Sequence, residues 1–137
     1  MGTNDSWLAQ ADEAPLEPEL PICDPHHHLW DHRGEGVAPR YLLDDYLADV
    51  NGGHNIVSSV FIECGTMFRT DVPEVQAPLG ETEFANGQAA MAASGQYGPV
   101  RVAAGIVGTA YLTLGDAWCW VTIGLICTAR SASKSRN

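Results

Sequence analysis

YLLDDYLADVNGGHNIVSSVFIE, residues 41–63, changes its apolar period part-way along. Over 41–51, Leu43, Leu47 and Val50 fall on one helical face with Tyr46 beside them, and Gly52 and Gly53 supply a stop, since glycine adopts the left-handed backbone that ends helices. From Ile56 onward, IVSSVFIE is rich in β-branched residues and poor in charge, the pattern of a strand covered on both faces. A helix that runs into such a strand is half of a crossover between parallel strands.

Outward from this stretch the rhythm repeats. Residues 20–24 form a short apolar run that reads as a first strand. Residues 81–94 (ETEFANGQAAMAAS) are alanine-rich, with Phe84 and Met91 two helical turns apart and Gly87 between them, and 100–107 (VRVAAGIV) reads as a third strand. The expected elements are strands near 20–24, 56–63 and 100–107 and helices near 42–51 and 81–94. Strands alternating with helices in this way predict an α/β fold with a parallel sheet. Pattern alone does not choose between an open sheet and a barrel. Residues 65–80 (GTMFRTDVPEVQAPLG) have no helical period and form a long βα loop, where binding groups often lie.

Charge excludes one class of partner. The 137 residues carry a formal charge of −10 with no basic stripe, so phosphate repulsion would go unopposed and nucleic acid is not an expected ligand. Neither GxGxxG nor GxxxxGK[ST] occurs, so the usual phosphate-cradling loops are missing. The four cysteines, Cys23, Cys64, Cys119 and Cys127, show no CxxC spacing, and no secretory signal opens the chain; free thiols in a reducing cytoplasm are the expectation. The apolar run 117–129 falls short of the ~20 residues that span a bilayer, so no membrane association is expected.

The chemistry-bearing stretch is DPHHHLW, residues 24–30. Alternate side chains of a strand share a face, so His26 and His28 can converge on one divalent ion while His27 turns away. Their place at the carboxyl end of a parallel strand is where such folds gather their chemistry. Asp24 can orient a histidine from behind. A bare HxH is also what a solvated loop or a hydrogen-bonded core histidine looks like. His32 and His54 sit in loop positions that suit solvation, and neither is assigned as a ligand. Glu63 and Cys64 close the second strand and can face the same pocket, and Arg69 has a fork of donors suited to a substrate carboxylate.

DPHHHLWDHRG resembles the first-strand motif of the amidohydrolase superfamily, specifically the amidohydrolase-related (amidohydrolase 2) branch of TIM-barrel metal-dependent hydrolases. The resemblance continues through RYLLDDYLADVNGGHNIVSSVFIECGTMFR and GETEFANGQAAMAASGQYGPVRVAAGIVG, and so covers about residues 22–116. It implies an α/β fold that is the N-terminal portion, about three βα units, of a truncated TIM (β/α)8 barrel. It also implies lactonase-like hydrolysis, with a lactone or other carboxylic acid derivative as the small-molecule substrate of full-length relatives. Carried over by position, His26 and His28 match the two first-strand metal ligands, with zinc as the expected ion. The family draws its remaining ligands and its general base from later strands, so no catalytic and no cofactor-binding residue is assigned.

Three segments follow from this reading: 1–19 as an acidic flexible lead-in, 20–117 as the partial barrel domain, and 118–137 as a tail outside the resemblance. That tail (WCWVTIGLICTARSASKSRN) contains no acidic residue and carries Arg130, Lys134 and Arg136, and it is expected to be frame-shifted or intron-derived. Such a chain is expected to be inactive alone and to self-associate through open sheet edges. The alternative is a non-catalytic fragment that at most binds metal or a partner chain.

Overall fold

The computed structural model describes residues 14–31, 40–111 and 113. The expectations for His32, for the tail 118–137 and for most of the lead-in 1–19 therefore lie outside the described residues. The elements in chain order are β1 (Ile22–His27), α1 (Leu43–Val50), β2 (Ile56–Ile62), a 3-10 turn (Glu74–Gln76), α2 (Leu79–Ala93) and β3 (Arg101–Val107). The three strands form one sheet in the order β1-β2-β3, and both pairs are parallel. Among the described residues the protein is a small α/β fold with a three-stranded parallel sheet and two crossover helices.

β1 differs from expectation. It runs through Pro25 into the histidines rather than stopping at Asp24, because Pro25 sits beside a register shift in a strand paired on one side only among the described residues, where a missing N–H costs no ladder bond. The shift also changes which residues share a face. Asp24 is in register with Ser59 and His27 with Phe61, so one extra residue of β1 is accommodated between them.

The core lies between one face of the sheet and the helices. Leu29, Leu43, Tyr46, Leu47, Phe61, Ala85, Ala92, Val100, Val102 and Ala103 are buried together. Full burial of Phe61 and Leu29 contributes roughly 1.5–3 kcal/mol each. In β2, Ser59 and Phe61 are buried while Ser58, Val60 and Ile62 are only half-buried. The strand expected to be covered on both faces is thus fully covered on one. Crossovers between parallel strands are right-handed as a rule, and two that advance a sheet in one direction put their helices on the same side, which accords with the half-burial of the alternate β2 residues.

Local chemistry places the helices. The Asp45 carboxylate accepts the Leu42 amide at 2.8 Å, and the Gln88 side chain of α2 accepts the Leu43 amide at 3.2 Å, so two free donors at the start of α1 are satisfied. After α1 the backbone turns through Gly53 at φ 116, a conformation that suits glycine alone. β3 carries a bulge of its own: Ala103 has φ 50, and its amide bonds the Ser59 hydroxyl at 3.0 Å.

Candidate functional site

His26 and His28 sit at the carboxyl end of β1, with their Nε2 atoms 3.2 Å apart and their rings edge to face at 4.9 Å. His27 faces the other way. It is buried against Tyr46, with ring centroids 4.5 Å apart, and against Phe61. The alternation expected of a strand therefore holds across residues 26 to 28.

Hydrogen bonding fixes which nitrogen carries each proton. A carbonyl oxygen can only accept, so His28 Nδ1–H donates to Ile62 O at 2.8 Å, and in that tautomer the lone pair is on Nε2. His26 then donates its own Nε2–H to that lone pair. His27 Nδ1–H likewise donates to Val60 O at 2.9 Å, while its Nε2 is buried without a hydrogen-bond partner. Burial holds the His27 pKa below its ordinary 6.5, against smaller opposing effects of the Val60 carbonyl and the Asp24 charge, so His27 is neutral at pH 7.

The donor set suits two of the positions around a divalent ion. Two Zn–N bonds of ~2.1 Å spanning 3.2 Å meet at an angle of ~100°, near tetrahedral. His28 already has the supported tautomer that metal-bound imidazoles use, whereas His26 would have to carry its proton on Nδ1. No third His, Cys, Asp or Glu joins them in a metal-binding group among the described residues.

Asp24 does not orient an imidazole ring, as its spacing suggested. The bulge turns it to the helix side, where Oδ1 accepts the His26 backbone amide at 3.1 Å and Oδ2 accepts the Tyr46 hydroxyl at 2.8 Å. Burial, with the Asp24 bond and charge adding to it and the neighbouring Ser59 hydroxyl opposing, pushes the Tyr46 pKa up to about 12.

An open cleft of about 540 Å³ runs along β1 beside the pair, walled by Trp30, Tyr41, Tyr46, Asp49, Val50 and His54. Its rim is braced by a two-way backbone bridge between Trp30 and Tyr41, with bonds of 2.9 and 2.8 Å. Tyr41 donates its hydroxyl to Asp49 Oδ2 at 2.5 Å, and burial followed by this carboxylate raises its pKa.

The other residues singled out from sequence divide. His54 lies on this cleft, exposed after α1. Glu63 is exposed, and Cys64 is half-buried with its thiol toward Leu29 O at 3.6 Å. Arg69 forms a surface ion pair with Glu83 through two guanidinium nitrogens, which uses the fork that was to meet a substrate.

Two residues that matter here were not singled out. Tyr46 reads in sequence as an ordinary apolar helix position. Glu81 reads as a helix start, yet it is fully buried and its Oε1 accepts the Cys64 and Thr66 amides at 2.8 and 2.9 Å, tying the β2–α2 loop beside the sheet end. An acidic residue in the first helical turn was the available signal.

No protein-family model, curated protein or solved structure matches the chain.

Proposed function

We propose that this chain carries the first-strand half of a divalent-metal hydrolase site of the amidohydrolase-related kind, set in the opening βα units of a (β/α)8 barrel. The observation that carries this reading is the His26–His28 pair, whose Nε2 atoms lie 3.2 Å apart, with the His28 lone pair set on Nε2 by its bond to the Ile62 carbonyl. Successive parallel strands in the order β1-β2-β3 also suit consecutive barrel units, and the pair sits at the strand end where barrel enzymes place their chemistry. Lactones and other small carboxylic acid derivatives are the substrate class of the full-length enzymes.

A bound zinc ion would lower the pKa of a coordinated water and polarise a substrate carbonyl. The residues of this chain would hold the ion through His26 Nε2 and His28 Nε2. Ile62 would fix the tautomer of His28, and Asp24 would hold the backbone at His26. With two imidazoles and no third protein ligand grouped with them among the described residues, the chain by itself should bind zinc weakly and turn nothing over.

The test is zinc binding by the full chain in competition with a chromophoric chelator, alongside a panel of sugar-acid and dicarboxylate lactones. Binding should be measurable, and His26→Ala or His28→Ala should each reduce it by more than the ~10–100-fold that loss of a supporting residue costs. Lactone turnover should be at background with zinc or manganese present. Zinc affinity that survives both substitutions would remove the reading, and turnover dependent on both histidines would show the site to be complete.

A further inference from the structure

Two hydrogen bonds tie α1 to the backbone of the histidine pair through Asp24, and a third joins β3 to β2 nearby. The Ala103 amide, in the β3 bulge, donates to Ser59 Oγ at 3.0 Å. Ser59 is fully buried in β2. Tyr46 donates to Asp24 Oδ2 at 2.8 Å, and Asp24 Oδ1 accepts the His26 amide at 3.1 Å. The direction is forced, since a carboxylate only accepts: Tyr46 and the His26 amide both donate to Asp24.

We propose that Tyr46 is a positioning residue for the His26–His28 pair, acting through Asp24; this rests on the reading that the pair holds a divalent ion. His26 is exposed, so packing does little to aim its ring. Its backbone is held at the β1 bulge, where Pro25 has no amide and the His26 amide is anchored on Asp24. Asp24 has one oxygen on that amide and one on Tyr46, so the phenol locks the rotamer of the carboxylate that locks the bulge. The bulge, in turn, is what separates Asp24 from the histidine face and leaves His26 and His28 meeting at Nε2. Phenylalanine at position 46 would keep the ring stacked on His27 and delete only the hydroxyl.

The experiment compares the wild-type full chain with Tyr46→Phe by zinc competition and by long-range proton–nitrogen spectra of the histidine rings without metal. Zinc affinity should fall about 10-fold, the scale for loss of a group behind a ligand. In the metal-free spectra, wild type should show His26 as the Nε2–H tautomer and His28 as Nδ1–H. In Tyr46→Phe, His26 should become the tautomer mixture of a free surface histidine while His28, held by Ile62, stays as it was. A purely structural role would disturb both rings or neither.

Asp24→Asn, which has one acceptor oxygen for two donors, should give the same selective change and decides the matter if Tyr46→Phe does not fold. A His26 tautomer identical to wild type in the folded variant overturns the proposal, whatever its affinity. If wild type binds no zinc, the hydrolase reading fails, and the metal-free spectra alone decide whether Tyr46 positions His26.

Discussion

His27 is the residue whose chemistry is most constrained. It is neutral because burial outweighs the nearby Asp24 carboxylate, while His26 and His28 beside it oppose its charge as well. With its folded pKa below the unfolded value of 6.5, the unfolded chain takes up a proton in the interval between them and the native chain does not. The stability due to this group is therefore complete above pH 6.5 and is lost as pH falls from there toward the folded value. His27→Asn, whose amide can replace Nδ1 as donor to Val60 O, should flatten that acid-side slope. Urea midpoints for both proteins between about pH 5 and 8 measure it, and equal slopes would show that His27 does not carry the effect. Asp24 teaches the complementary lesson at this scale. Period-two counting puts it on the face of His26, and one bulge residue moves it to the other side.

At the scale of elements, the β2–α2 connection behaves as a built loop. Glu81 supplies the acceptor for two amides and, through Oε2, for the Thr109 hydroxyl at 3.3 Å, so one carboxylate joins the ends of β2 and β3 to the start of α2. Glu81→Ala would leave buried Thr66 N–H without this partner and should cost about 3 kcal/mol, read as a lower urea midpoint at unchanged slope. Gly80, one residue earlier, lies against the loop so closely that an added Cβ would stand 2.2 Å from Met67 O. Gly80→Ala should therefore force the loop off the helix and destabilise by about 2 kcal/mol, whereas Gly87→Ala, with open space around it, should stabilise α2 by about 0.5–1 kcal/mol. Equal effects at the two glycines would contradict the packing described.

At the scale of the whole molecule, the unbalanced feature among the described residues is the sheet's open side and its outer strands. Val107, at the end of the outer strand β3, is 49% exposed, a large value for a strand residue of this type. We expect the chain to self-associate through these surfaces, with the charge of −10 opposing it, so that association strengthens as salt screens the repulsion. Sedimentation velocity over a range of concentration and salt reads this directly. Val107→Lys, a charge at the end of β3, should weaken association, and a monomer at every concentration would count against open edges as its cause. Among the described residues, no helix is long and apolar enough to cross a membrane.

The sequence by itself determined the elements and their order. The change of period after Gly53, the alanine-rich helix and the β-branched strands placed two helices and two of the three strands within a few residues, because burial of one helical stripe or one strand is a local pattern of side chains. It also put His26 and His28 on one face, which needs only strand alternation. Tertiary structure decided the rest. The extension of β1 through Pro25, the turning of Asp24 toward Tyr46, the single covered face of β2 and the burial of Glu81 all depend on what a neighbouring strand or helix brings within hydrogen-bonding distance. A partner some 20 or 30 residues away leaves no mark on the local period that a sequence displays.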